Sequence, residues 1–144
     1  GSASFIMIYE DTSIRVYNNS VFRLVSERYS LLNHSELALF EGKVIIEADD
    51  NLGYSFILNT PSTKATVSGT NFLAEYQEDL LFNGVDYSIF TVLEGIIELE
   101  NLNSNLSMYL MNGETVVSTD SGRFLRLDTF REPQGIVNSL LEFR

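Results

Sequence analysis

The 144-residue sequence contains no cysteine, no tryptophan, two prolines and a single histidine, His34. The lack of cysteine excludes structural disulfides and thiolate metal sites. A catalytic triad would have to use His34, which lies in a polar segment typical of a protein surface. Metal sites built from several histidines are excluded for the same reason. We therefore expect no catalytic residue, no metal and no cofactor.

Positive charge and long apolar runs are also scarce. Nine basic residues against 20 acidic ones give a formal net charge of -11. Phosphate backbones and anionic lipid surfaces are bound through basic groups, so nucleic acid is not an expected partner. No apolar run approaches the roughly 20 residues that a membrane-spanning helix requires. The sequence leaves open whether a longer natural chain is attached to a membrane.

Length and patterning indicate one all-β domain. We assign it to residues 3–144, because Gly1-Ser2 resembles the remnant of an expression tag. Its core, at about 8–120, consists of short segments in which apolar and polar residues alternate, separated by turns rich in Asn, Asp and Gly. This pattern predicts an antiparallel β-sandwich or roll.

A strand–glycine–strand unit recurs three times. Gly42, Gly95 and Gly113 each follow an acidic or amide residue, such as Glu94, and apolar residues at period two flank each glycine. We interpret the units as repeated hairpins. Their uneven spacing argues against a solenoid.

The segment 59–76 contains the features on which our interpretation of the fold most depends. Pro61 interrupts a strand because proline has no N–H to donate to the ladder. Gly69, followed by Thr70, lies inside the next strand pattern, which predicts a bulge or a strained backbone there. We expect Val67 and Phe72 on either side to be buried, and the segment to be architectural.

The tail, residues 121–144, has a different pattern. Residues 124–127 read as a strand, and four apolar residues then fall at helical spacing, which predicts a short amphipathic C-terminal helix: Ile136, Val137, Leu140 and Leu141. The helix either caps the sheet or begins a truncated neighbouring region.

The sequence contains no strong candidate for a catalytic, calcium-binding or carbohydrate-binding site. Glu94, Glu98 and Glu100 lie along one segment, but nothing selects two of them as a glycosidase pair. The acidic clusters 49–51 and 78–79 lack the spacing of a calcium loop and are interpreted as polar turns. Five tyrosines would line a carbohydrate groove only if several faced outward together: Tyr9, Tyr17, Tyr29, Tyr76 and Tyr109.

Several motifs occur in the order found in the FecR domain family of bacterial cell envelopes, and over about residues 8–120 the chain resembles that family. The motifs are Asp11-Thr-Ser-Ile-Arg-Val with Asn19-Ser20, Leu37-Ala-Leu-Phe-Glu-Gly-Lys-Val, Phe56-Ile-Leu-Asn-Thr-Pro, Val67-Ser-Gly-Thr-Asn-Phe, Val92-Leu-Glu-Gly-Ile-Ile-Glu-Leu and Leu110-Met-Asn-Gly-Glu.

This resemblance implies an all-β extracytoplasmic module, located in the periplasm or cell envelope. The best-known members relay a signal from an outer-membrane transporter through a membrane helix to a sigma-factor-regulating segment, and this sequence contains neither the helix nor that segment. Two functions follow as hypotheses. The first is a non-enzymatic protein-interaction or signal-sensing module that binds another envelope protein through strand edges or an exposed apolar patch. The second is a β-sandwich that binds a glycan or another small ligand.

Overall fold

The computed structural model describes residues 4–9, 12–17, 19–26, 34–48, 55–67, 69–78 and 84–127. Every regular element in this part of the chain is a β-strand, which confirms the predicted all-β class. Its strands are β1 (Ser4–Tyr9), β2 (Thr12–Tyr17), β3 (Val21–Ser26), β4 (His34–Ala48), β5 (Ser55–Asn59), β6 (Thr63–Val67), β7 (Asn71–Gln77), β8 (Tyr87–Glu94), β9 (Ile96–Asn101), β10 (Ser107–Met111), β11 (Thr115–Thr119) and β12 (Phe124–Leu127).

Two predictions concern the C-terminal tail, and the described residues test only the first of them. The predicted strand at 124–127 is present as β12, whereas the predicted C-terminal helix lies outside the described residues. Over the ranges that the model describes, no helix has the length and apolar character needed to cross a bilayer.

The strands form two layers joined by the long strand β4. Sheet I has the order β1–β2–β4–β7–β8–β11–β12, and sheet II has the order β3–β4–β5–β6–β9–β10. The first half of β4 pairs with β3 and β5, and the second half with β2 and β7. The described pairs are antiparallel except for β4 with β5, which run parallel. The sheet is therefore mixed and curled into a half-barrel, and the β4–β5 pair is the parallel exception within the predicted antiparallel sandwich or roll.

Five of the residues with positive φ mark places where the chain passes from one sheet to the other. They are Asn19 (φ 63°), Gly42 (φ 96°), Gly69 (φ 61°), Gly95 (φ 110°) and Gly113 (φ 81°). The interpretation of the glycine units as hairpins was wrong, because Gly42 lies within the single strand β4, and the strands that flank Gly95 and Gly113 do not pair with each other. A strand–glycine–strand pattern is equally compatible with a reversal and with a bend into another layer, and only the spatial neighbours distinguish the two.

The main core lies between the two sheets. Strands such as β6 and β7 bury alternate residues, and Phe72 and Phe90 are the largest fully buried side chains among those that the structure describes. Burying a side chain of this size contributes about 1.5–3 kcal/mol relative to leaving it exposed. A second, smaller cluster lies on the outer face of sheet I and consists of Tyr87, Ile89, Val117, Leu125 and Leu127.

The segment 59–76 behaves as the sequence predicts. Pro61 is exposed in the tight turn between β5 and β6. Gly69 has a positive φ, and Val67 and Phe72 beside it are buried. The chain bends here from sheet II into sheet I.

Candidate functional site

The corner at Gly95 explains two of the motif residues. Thr70 is buried, and its hydroxyl donates a hydrogen bond of 2.8 Å to the carbonyl of Ile96. A Cβ on Gly95 would lie 2.9 Å from the Thr70 Oγ1 atom. Glycine is needed because the backbone has a positive φ and because the threonine occupies the space of a side chain.

The corner at Gly42 is built in the same way. The Ser20 hydroxyl donates to the Lys43 carbonyl at 3.1 Å and accepts from the Lys43 N–H at 2.9 Å. A Cβ on Gly42 would overlap Ser20. In both corners a positive-φ residue, Asn19 or Gly69, precedes a hydroxyl residue that packs on the glycine of the neighbouring strand. These motif residues therefore shape the half-barrel.

The remaining motif residues are dispersed. Glu94 is exposed and accepts a long hydrogen bond of 3.5 Å from Asn71, while Phe72 lies in the core. The Gly113 N–H donates to the Val92 carbonyl at 2.9 Å. Pro61 is exposed in the turn between β5 and β6. Gly42 lines a surface cleft.

A buried cluster of hydroxyl groups joins the two sheets near the β5–β6 turn. The Thr60 and Ser88 hydroxyl oxygens lie 2.6 Å apart, and the Thr63 hydroxyl donates to Ser118 Oγ at 2.7 Å. Asn101 donates to the same Ser118 oxygen at 3.0 Å. These side chains are at most 3% exposed. These side chains bond to hydroxyls, an amide and backbone carbonyls, so the cluster ties the sheets together, and these residues include no general base to activate a nucleophile.

We did not predict this cluster from the sequence. Its signal is the occurrence of small hydroxyl residues at inward positions of the alternation: Ser88 lies two residues before Phe90, and Ser118 two residues after Val116. Serine and threonine are common in strands, so the pattern becomes distinctive only when the register brings them together.

Tyr76 and Asp120 form a second polar contact between strands. The Tyr76 hydroxyl donates to Asp120 Oδ2 at 2.8 Å, and Asp120 Oδ1 is buried without a hydrogen-bond partner. Burial raises the pKa of Asp120, the hydrogen bond from Tyr76 lowers it, and the nearby charge of Asp86 raises it. Burial also raises the pKa of Tyr76 above its usual value. A carboxylate held in this way is more easily protonated than one in water.

Two crystal structures share this fold. Both are of a "putative anti-sigma factor" from Parabacteroides distasonis ATCC 8503, and each is 21% identical to this chain. One has a TM-score of 0.72 over 88% of this chain, and the other 0.71 over 96%. This chain spans only 56% and 60% of the length of those two chains. No protein-family model matches the sequence, and no curated protein matches it.

An exposed apolar strip lies on the outer face of strands β9 and β10. Ile96 and Met111 are direct cross-strand partners, and Tyr109 is two residues from Met111 on the same face. They are 50%, 52% and 59% exposed, respectively. We call these three residues the β9–β10 strip. Contiguous exposed apolar side chains are typical of a contact surface, whereas isolated ones are common on any protein.

The edge of β10 beside the strip is partly closed by side chains. Arg126 of β12 donates to the Tyr109 carbonyl at 3.1 Å and forms an ion pair with Glu114 at 2.6 Å. Glu114 also accepts a hydrogen bond of 2.7 Å from the Met111 N–H. The backbone groups that an added strand would need are thus already occupied at Tyr109 and Met111. A partner is better accommodated by the face of this hairpin than by its edge.

A second exposed apolar pair lies at the other edge of sheet II. Val21 is 52% exposed and Phe40 is 43% exposed. The Arg23 guanidinium lies over the Phe40 ring, 5.8 Å from its centre. This cation partly covers the ring, so the β9–β10 strip is the more accessible of the two surfaces.

The five tyrosines do not form one groove. Tyr76 is 5% exposed, Tyr109 belongs to the β9–β10 strip, and Tyr17 lines a separate cleft. The side chain of Tyr9, and Tyr29 as a whole, lie outside the described residues.

The described residues contain no candidate metal site. In the described ranges, no group of three or more His, Cys, Asp or Glu side chains could hold a metal ion. The acidic residues at 49–51 and Asp79 fall outside those ranges, and Glu78 is exposed. The backbone of His34 begins β4 and pairs with Ser55.

Proposed function

We propose that this chain is a non-enzymatic FecR-like module of the bacterial cell envelope, located outside the cytoplasm, and that it binds another envelope protein. The similarity of its fold to proteins described as putative anti-sigma factors supports a role in signalling. The order of FecR-like motifs in the sequence supports the finer assignment.

The observation that carries the proposal is the β9–β10 strip. A partner that packs flat on this face buries Ile96, Tyr109 and Met111 together. Full burial of one such side chain contributes about 1.5–3 kcal/mol. Aromatic and methionine side chains are also enriched at the centres of protein interfaces.

The charge around the strip indicates the chemistry of the partner. Glu98 lies directly opposite Tyr109, and Glu100 lies opposite Ser107 on the same outer face. The chain as a whole carries a net charge of -11. A partner surface with an apolar centre and a basic rim fits this arrangement, and its rate of association should fall as salt is added.

Affinity capture from the envelope fraction of the native organism tests the proposal. The double variant Tyr109→Ser/Met111→Ser should release a protein that the unmodified chain retains, with a loss in affinity of at least about 30-fold, because about 2 kcal/mol of apolar burial is removed. The double variant Val21→Ser/Phe40→Ser, which changes the exposed pair at the other edge of sheet II, is the matched control and should still retain the protein. Equal retention by the strip variant and the unmodified chain would show that the partner binds elsewhere.

A further inference from the structure

A cleft of about 350 Å³ opens on the outer face of sheet I beside the Gly42 corner. This volume is within the range of small-molecule sites, about 300–1,000 Å³. Its lining residues are Tyr17, Asn19, Glu41, Gly42, Lys43, Glu75 and Gln77. None of them belongs to the β9–β10 strip, which lies in sheet II.

Three neighbouring strands place the central side chains of this cleft. Lys43 of β4 and Glu75 of β7 are direct cross-strand partners. Gln77 lies two residues after Glu75, so both side chains are on the same face. The Lys43 ammonium lies over the Tyr17 ring, 4.7 Å from its centre. The sheet thus brings an aromatic ring, an ammonium, a carboxylate and an amide to one depression.

Glu75 has incomplete hydrogen bonding for a half-buried carboxylate. Among the described residues, its carboxylate accepts a long hydrogen bond of 3.4 Å from the Gln77 amide, and Lys43 acts on it through its charge. Burial raises the pKa of Glu75, and these two neighbours only partly oppose that effect. The carboxylate would therefore gain from further hydrogen-bond donors supplied by a ligand.

The formal charge of the cleft indicates which class of ligand it can bind. Two carboxylates, Glu41 and Glu75, and one ammonium, Lys43, leave a formal charge of only -1. The carboxylates disfavour an anionic ligand, and Lys43, the cross-strand partner of Glu75, weakens the attraction of the cleft for a cationic one. A neutral ligand rich in hydroxyl groups can donate to the carboxylates and accept from the ammonium and the amides of Asn19 and Gln77.

We propose that this cleft binds a neutral saccharide unit, with Glu75 accepting hydrogen bonds from two adjacent hydroxyl groups of the sugar. Lys43 and Gln77 donate to ring or hydroxyl oxygens, and the Tyr17 ring holds the Lys43 ammonium in place at the border of the cleft. The proposal does not depend on partner binding at the β9–β10 strip, because the two surfaces share no residue.

The test is a two-dimensional NMR titration of the ¹⁵N-labelled chain with glucose, galactose, mannose and N-acetylglucosamine, followed by a glycan array. Saturable shifts are expected for at least one sugar, centred on the amides of Lys43, Glu75 and Gln77. Glu75→Gln keeps the size of the side chain and should weaken binding at least about tenfold, because it removes a charged acceptor. Glu98→Gln changes an exposed carboxylate of sheet II and should leave binding unchanged.

Three results would overturn the saccharide site. They are the absence of saturable shifts and of any array signal, unchanged binding by Glu75→Gln, and shifts centred away from the cleft. Putrescine serves as a cationic probe, and tighter binding of putrescine than of every sugar would identify an amine site in its place.

If Glu75→Gln fails to fold, Lys43→Met replaces it as the test variant and should weaken sugar binding. Tyr109→Ser/Met111→Ser should still bind the sugar, so failure here and failure of the proposed partner binding are distinguishable.

Discussion

At the scale of single residues, Gly42 meets two separate demands. Its φ of 96° favours glycine, and Ser20 occupies the space that a side chain would need. Gly84 has a similar φ of 93°, but nothing lies within 4 Å of a Cβ at that position. A comparison of substitutions at these two glycines therefore separates the energetic cost of the backbone conformation from the cost of steric overlap.

Gly84→Ala should lower the free energy of unfolding by about 1–2 kcal/mol, the usual cost of left-handed backbone for a residue with a Cβ. Gly42→Ala adds an overlap cost of about 1–3 kcal/mol because Ser20 is held by two hydrogen bonds. Urea unfolding of both variants measures the difference. Equal destabilisation by the two substitutions would contradict the close packing of Ser20 on Gly42.

Asp120 makes stability depend on pH. Its pKa is raised in the folded chain by burial, and the charge of Asp86 adds to this effect. The folded state therefore binds the proton more readily than the unfolded state, and stability declines as the pH rises from about 4, the ordinary aspartate value, through the raised pKa.

Asp120→Asn should stabilise the protein near neutral pH, because it removes the buried charge and can keep an acceptor for the Tyr76 hydroxyl at 2.8 Å. The advantage should disappear as the pH falls to about 4, where the carboxyl is already protonated. Thermal melts of both proteins across this range test the prediction. A stabilisation that persists unchanged at the acid end would mean that ionisation of Asp120 is not its cause.

At the scale of elements, the hydroxyl cluster connects strands that are distant in the sequence. Ser118 of β11 accepts hydrogen bonds from Thr63 of β6 and from Asn101 of β9. The cluster thus fastens sheet I to sheet II at the β5–β6 turn. A buried donor left without its acceptor costs about 1–3 kcal/mol.

Ser118→Ala should therefore lower the free energy of unfolding by about 1–3 kcal/mol, because it removes the acceptor of the Thr63 hydroxyl and of one Asn101 N–H, while the other Asn101 N–H keeps the Thr119 carbonyl. Ser107→Ala, at an exposed position of β10, is the control and should change stability by less than about 0.5 kcal/mol. Denaturant unfolding measures both. A neutral Ser118→Ala would show that the neighbouring groups find other partners.

The positions of several strands could be predicted from the sequence, but the pairing between strands could not. Period-two alternation locates β11 and β12, and Pro61 correctly marks the turn between β5 and β6. The role of Gly42 and Gly95 as bends between layers was missed, since a bend and a hairpin have the same local pattern. The parallel pairing of β4 with β5 depends on contacts across the sheet that no short segment encodes.

The candidate surfaces were harder to predict than the fold. The β9–β10 strip requires the register that sets Ile96 opposite Met111, and the cleft requires β2, β4 and β7 to be neighbours. Tyr17 and Tyr109 were singled out as aromatic candidates, but nothing in the sequence indicated that they lie in separate places. Glu75 lies in a plain alternating strand and carries no sequence signal of its own.

At the scale of the whole molecule, the half-barrel leaves two different surfaces for recognition. The strip in sheet II is apolar and has Glu98 beside it, while the cleft in sheet I is polar and nearly neutral. Arg126 and Glu114 close the β10 edge between the sheets, which disfavours strand-by-strand association of copies of this chain. The molecule is thus suited to face-on contact with a partner protein.

Site-specific photo-cross-linking in the native cell envelope tests this account most directly. A photoreactive phenylalanine analogue replaces Tyr109 in one version of the chain and Phe40, at the other exposed edge of sheet II, in another. We expect one defined cross-linked product from position 109, containing a second envelope protein, and no such product from position 40. A product of the same mass from both positions, or from position 40 alone, would contradict the assignment of the β9–β10 strip as the binding surface.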